Sequence, residues 1–308
     1  MNDHPINIPP SPTGPIFVRG MSRSGGTLTV TILDAHPAIS MSYELYPNLL
    51  DYEAEKEPAL QRIRMRIRDL FASEKERLAA LPPSLRKFLA YAARSGIDKP
   101  TFDDMLRRHR DSGLGLDTPA GRLKLVETCA LYKMRNEGKP IWGSKCTSRF
   151  EEYASVWPNA RFLNVVRDGR DVLASQLNTG SFHPDPAKLG ESWAKHHTRF
   201  KSLVDQGIIK GYAIRYENLV ANPEPEIRAI CDFLELDFSP SMLNHHQQEL
   251  TIYKSNHISM PQIVNPINTS KTGRWKKDLS AEQLAQFEAA AGDCLAQFGY
   301  ERSGNRYL

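Results

Sequence analysis

Apolar positions along the chain change period in a regular order. Pro15-Ile16-Phe17-Val18 is a short apolar run that stops at Arg19-Gly20. A polar, glycine-bearing stretch, Met21-Ser22-Arg23-Ser24-Gly25-Gly26-Thr27, follows it, and Leu28, Val30, Ile32 and Leu33 then recur as apolar positions. That order predicts buried strand, loop, helix. Pro140–Lys145 and Asn159–Val166 predict two further strands, the second ending at Arg167-Asp168, with a helix near Arg149–Trp157 between them and another beginning at Asp171. Gly211–Tyr216 predicts one more strand. Helices are expected at 224–235, where Ile227, Ile230, Cys231 and Leu234 share a face, and at 281–298, where Ser280-x-x-Gln283 forms a capping box and Gly299 ends the run.

The block 51–140 is patterned differently. Leu60, Ile63, Ile67, Leu70 and Phe71 mark one helical face within Ala59–Leu81, and Arg62, Arg64, Arg66 and Arg68 surround it. Pro82-Pro83, Gly96, Pro100 and Gly113-Leu114-Gly115 divide the remainder into short helices, which predicts a helical insertion or lid. Its arginine row is either a solvated helix face or a surface for an acidic acceptor. Strands alternating with helices give an α/β class with a mostly parallel central sheet flanked by helices, in one domain spanning 1–308. Ligands of such sheets bind where strand carboxyl ends meet helix starts.

Composition narrows the chemistry. With 308 residues, 40% hydrophobic and 25% charged, the chain is globular, and a net charge of +4 from 40 basic and 36 acidic residues is too mild to argue for nucleic acid. It suits an anionic small ligand. Cys129, Cys146, Cys231 and Cys294 are far apart and form no CxxC pair, so they read as reduced thiols. The proline-rich residues 1–15 read as a loose arm, with no basic or apolar leader pattern, and no stretch reaches the roughly 18 apolar residues of a membrane span. A cytoplasmic location is the expectation.

Two motifs carry the chemistry. Gly20-x-x-x-x-Gly25-Gly26-Thr27 keeps the spacing and hydroxyl of a triphosphate-binding loop but has glycine where that loop has lysine. Its amides and the following helix N-terminus still favour an anion, and Arg23 adds a fixed charge. Arg167-Asp168-Gly169-Arg170-Asp171 places an arginine at a strand end, where it can grip a phosphate with two donors, and Ser175 lies two turns into the next helix. The alternatives for these motifs are a plain strand–turn–helix junction and surface salt bridging. His36 precedes Pro37 and reads as a packing or capping residue, with a role as base the lesser alternative. The pairs His196-His197 and His245-His246 have no third ligand in view, so no metal is expected.

Together the motifs resemble the sulfotransferases that use 3′-phosphoadenosine 5′-phosphosulfate (PAPS), with a 5′-phosphosulfate loop of the form PRSGTTL and a 3′-phosphate element of the form RDxRDxxxS. Leu33-Asp34-Ala35-His36-Pro37, Tyr216-Glu217-Asn218-Leu219-Val220, Asn222-Pro223 and Gly273-Arg274-Trp275 extend the resemblance over about 15–50 and 140–300, nearest to tyrosylprotein sulfotransferases and related bacterial enzymes. It implies a P-loop NTPase-like sulfotransferase fold and sulfuryl transfer from PAPS, leaving PAP, to a hydroxyl acceptor. It further implies that Arg23, Ser24, Gly25, Gly26 and Thr27 hold the 5′-phosphosulfate, that Arg167 and Ser175 hold the 3′-phosphate, and that Tyr216 lies against the nucleoside. Lys145 would contact the transferring sulfonate and, with Arg23, stabilise the charge growing on the leaving phosphate oxygen, and Glu44 stands at the base position, although by position alone it reads as a capping or salt-bridged glutamate. Lys271, Arg274 and Trp275 would close over the donor. Gly26 departs from the family's paired threonines. The acceptor stays open among tyrosine in a peptide, other phenols, carbohydrate and other metabolites, with specificity expected in 51–140 and 178–190, including Phe182-His183-Pro184. A P-loop small-molecule kinase and a catalytically inactive nucleotide-binding module are the competing readings.

Overall fold

A computed structural model describes residues 14–50, 83–180, 183–248 and 259–303. The arginine row with its helical face in 59–81, residues 1–13 of the N-terminal arm, and Phe182 lie outside the described residues. Five strands, β1 (Ile16–Gly20), β2 (Ile39–Ser42), β3 (Ile141–Lys145), β4 (Arg161–Val166) and β5 (Lys210–Arg215), pair in parallel in the order β2-β3-β1-β4-β5. From β1 the chain passes through α1 (Gly26–Asp34) to β2 on one side, and it later reaches β4 and β5 on the other. The crevice at the carboxyl end of β1 is therefore the topological switch point, where this architecture binds ligands.

Both faces of the sheet are covered, which is why the strands read as apolar runs. Ile16, Val18, Leu163, Val165 and Ile214 face α1 and the helix Pro223–Leu234. Phe17, Trp142 and Phe162 face the other way and meet Phe150, Tyr153 and Trp157, with the Phe17 and Tyr153 rings edge to face at 4.8 Å. A third cluster joins the helices Pro83–Ala92, Lys99–Asp111 and Pro119–Asn136 through Phe88, Phe102 and Leu125, and it takes in Leu45 and Leu50. The described part of the 51–140 block is thus helical, and it grips the segment that leaves β2.

Expected boundaries shift by a residue or two, and Tyr216 opens a short helix, Tyr216–Ala221, in place of ending β5. Two of the elements that were not anticipated bear on the sheet and its packing. The four-residue β2 carries the weakly patterned Ile-Ser-Met-Ser. The helix Pro186–Asp205, capped by Asp185, takes Leu189, Gly190 and Trp193 into a cluster with the helix Ala281–Gln297, so the end of the 178–190 stretch is packing surface. Ser280 and Gln283 form the expected capping box.

Candidate active site

The loop after β1 is shaped by two left-handed residues, Arg23 at φ 75° and Gly25 at φ 99°. A Cβ on Gly25 would stand 2.4 Å from the ring of Tyr216, which is only 2% exposed. Glycine is therefore required twice over, by the backbone angle and by that ring. Tyr216 supports the loop from below and itself lies 4.7 Å beneath the Arg167 guanidinium. Gly26, where a triphosphate loop has lysine, has open space instead, and a Cβ there would meet only Lys145 Cε at 4.0 Å.

Lys145, the last residue of β3, fills that role from another strand. Its Nζ donates to Thr27 Oγ1 at 3.0 Å and lies 3.0 Å from Glu44 Oε1. Ser42 pairs with Ser144 in the β2–β3 register, so the chain leaving β2 carries Glu44 to the same sheet edge. Tyr43 and Leu45, both buried, lock its neighbours, with Arg94 stacked 4.0 Å from the Tyr43 ring. Glu44, Lys145, Thr27, Gly25 and Arg23 line one cleft of about 230 Å³ together with Tyr46. Sequence reasoning missed Tyr46, whose polarity and position gave no signal.

Toward β4 the arginines converge. Arg23 donates from Nε to Ser175 Oγ at 3.2 Å and from Nη1 to Ser259 Oγ at 3.4 Å. Arg167 donates to the carbonyl of Arg23 at 2.8 Å and to that of Lys271. Ser175 is thus paired with Arg23, while Arg167 ties the loop after β1 to the 271–275 segment. Burial, then the cations Arg167 and Arg274, lower the pKa of Arg23. Three like charges so placed are costly without an anion among them. The Nε of Arg167 and the Oγ of Ser24 are buried without partners among the described residues, further unfilled capacity beside the loop. Together with the space at Gly26, these groups fit a phosphosulfate and a second phosphate.

The remaining motif residues are bonded largely to one another. Asp168 takes two bonds from Arg170, which also pairs with Glu288 at 2.7 Å and stacks 4.0 Å from Trp275. Asp171, 1% exposed, accepts from the amides of Gly273 at 2.8 Å and Trp275 at 2.9 Å, anchoring the loop that carries Arg274. Arg274 itself pairs with Asp278 at 2.7 Å. His36 accepts from the Ala38 amide at 3.0 Å and bonds the Asp237 carbonyl at 2.9 Å, so it caps a turn away from the cleft. All four cysteines are free and buried. Among the described residues no helix is long and apolar enough to cross a membrane, and no group of three His, Cys, Asp or Glu side chains is placed to hold a metal.

The described residues thus combine a parallel sheet, a glycine-bearing loop at its switch point and a carboxylate–lysine pair beside that loop. The model of the sulfotransferase family matches residues 15–240, and the chain belongs to that family. A putative protein-tyrosine sulfotransferase of Caenorhabditis briggsae is 24% identical over 94% of this chain and 90% of its own length. The protein-tyrosine sulfotransferase of Drosophila melanogaster is 25% identical over 94% of this chain but 52% of its own length. Among solved structures, the sulfotransferase domain from the curacin biosynthetic pathway superposes with a TM-score of 0.59 at 19% identity, covering 94% of this chain and 98% of that one. The chain is therefore a sulfotransferase with the P-loop NTPase-like fold of that family.

Proposed function

We propose that the protein transfers the sulfuryl group of PAPS to a phenolic hydroxyl, tyrosine in a peptide being the acceptor that the names of its relatives suggest. The observation that carries this reading is Lys145 Nζ, 3.0 Å from both the loop hydroxyl of Thr27 and the carboxylate of Glu44. One cation thereby joins an anion-binding loop to a proton acceptor.

In the reaction the acceptor oxygen attacks sulfur in line. The new S–O bond forms as the S–O bond to the 5′-phosphate breaks, and the hydroxyl proton passes to Glu44. Negative charge grows on the departing phosphate oxygen, and Lys145 with the loop amides is positioned to stabilise it. A sulfonate carries less charge than a phosphoryl group, so the cations of this chain can serve without a second bridging charge. Arg167 and the Ser175 hydroxyl are the groups for the 3′-phosphate, and Arg23, bonded to Ser175, adds its charge between that site and the loop.

Transfer of radiolabelled sulfate from PAPS to a tyrosine peptide tests the assignment. E44Q is expected to lose about 100-fold or more in kcat while still binding PAP. Full activity in both E44Q and K145A would remove the proposed roles.

A further inference from the structure

The adjacent histidines His196 and His197 lie beneath β4, outside the cleft, with 7% and 0% of their surface exposed. Asn164 of β4 joins them, donating from Nδ2 to His197 Nδ1 at 3.0 Å while its Oδ1 lies 2.9 Å from His196 Nε2. That amide orientation assigns the His196 proton to Nε2, leaving Nδ1 to accept from the Ser148 hydroxyl at 3.3 Å. Burial, the largest cause, keeps His196 neutral by pushing its pKa down to about 3. Ser148 Oγ, its proton committed to His196, accepts from Nε of Arg19 at 3.3 Å, and Arg19 Nη1 donates to the Cys146 carbonyl at 3.5 Å.

The guanidinium of Arg19 is thus held from behind, and its Nη2 has no partner among the described residues. Arg19 lines the same cleft as Glu44 and Tyr46. The hydroxyl of Tyr46 feels both of these charges, Glu44 after burial raising its pKa and Arg19 opposing the rise. Tyr46 therefore stands near both the proposed base and this cation. Cys146 and Ser148, the partners of Arg19, follow Lys145 at the end of β3, and the charge of Arg19 reaches Tyr46, two residues from Glu44. Arg19 is on the Glu44 side.

We propose that Arg19 is a specificity residue for the acceptor: its guanidinium, positioned by Ser148 and His196, receives a carboxylate or other anionic group that the acceptor carries beside the hydroxyl to be sulfated. The proposal rests on the reading that the Glu44 side of the cleft admits the acceptor. A planar, prefixed guanidinium whose outer edge has no partner among the described residues is suited to an anion, and a hydrogen bond to a charged group contributes more than one between neutral groups.

The test compares 4-hydroxyphenylacetate with 4-hydroxyphenylacetamide, which differ in charge and share the phenol. In the unmodified protein kcat/KM is expected to favour the carboxylate by about tenfold or more, and R19Q is expected to remove that preference while leaving the amide within about threefold. S148A, which keeps the guanidinium but removes its Nε acceptor, is expected to show the same bias in reduced form. PAP affinity in R19Q is expected to stay unchanged. Equal loss for both acceptors, or weakened PAP binding in R19Q, would overturn the proposal. If neither phenol is turned over, calorimetric binding to the PAP-saturated protein decides: tighter carboxylate binding that R19Q abolishes supports it, and equal binding overturns it. Should PAP itself fail to bind, the donor reading falls, and the same titration on the free protein still decides the role of Arg19.

Discussion

At the scale of single residues, the site works by placing a lysine from one strand in the space a glycine leaves on another loop. Lys145 meets Thr27 and Glu44 at 3.0 Å each, and in the proposed reaction it serves the leaving group and the carboxylate at once. K145A is expected to lower kcat by about 100- to 1,000-fold with a smaller change in PAP affinity, read by steady-state kinetics and calorimetry. A change in affinity alone would make Lys145 a binding residue only. The buried histidine pair gives a separate prediction. Folded His196 titrates near 3, against an ordinary value of 6.5, and His197 is lowered well below that value as well. As pH falls below that ordinary value the unfolded chain takes up protons that the folded chain refuses, so stability declines. The thermal midpoint should drop between about pH 7 and pH 5. A flat midpoint would contradict a neutral buried pair.

At the scale of elements, two joints fix the geometry. The loop after β1 turns through Gly25 at φ 99°, with the Tyr216 ring in the space where a Cβ would go. G25A is expected to cost about 1–3 kcal/mol and to weaken PAP binding, because either the backbone or the ring must move. Calorimetry measures both effects. The second joint is Asp171, whose carboxylate takes the amides of Gly273 and Trp275. D171N should quicken hydrogen exchange at those two amides by about tenfold or more and loosen the loop bearing Arg274. Unchanged exchange there would show that other contacts hold the loop. These joints mark where the sequence was readable. Apolar runs revealed β1, β3 and β4, since strands buried on both faces have no polar alternation to blur them, while the half-exposed edge strand β5 was read from the short Gly211–Tyr216 run. The brief Ile39–Ser42 strand lacked such a run. The pairing of Ser175 with Arg23 was also out of reach, because it depends on how a loop after β1 leans over a helix after β4.

At the scale of the whole molecule, sheet order does the assembling. β2 and β4 lie on opposite sides of β1, which opens the crevice, and the helical cluster around Phe88, Phe102 and Leu125 holds Leu45, next to Glu44, from outside. Glu44 and Lys145 are 101 residues apart in sequence, and only the β2–β3 register brings them together. The resemblance to a family supplied what spacing alone could not. The account as a whole requires a cleft built for a bisphosphorylated adenosine that needs no metal to bind. Thermal unfolding with PAP in the presence of a chelator measures this directly. The account predicts that PAP raises the midpoint and that R23A abolishes the rise. No stabilisation by PAP, together with stabilisation by ATP and magnesium, would contradict it.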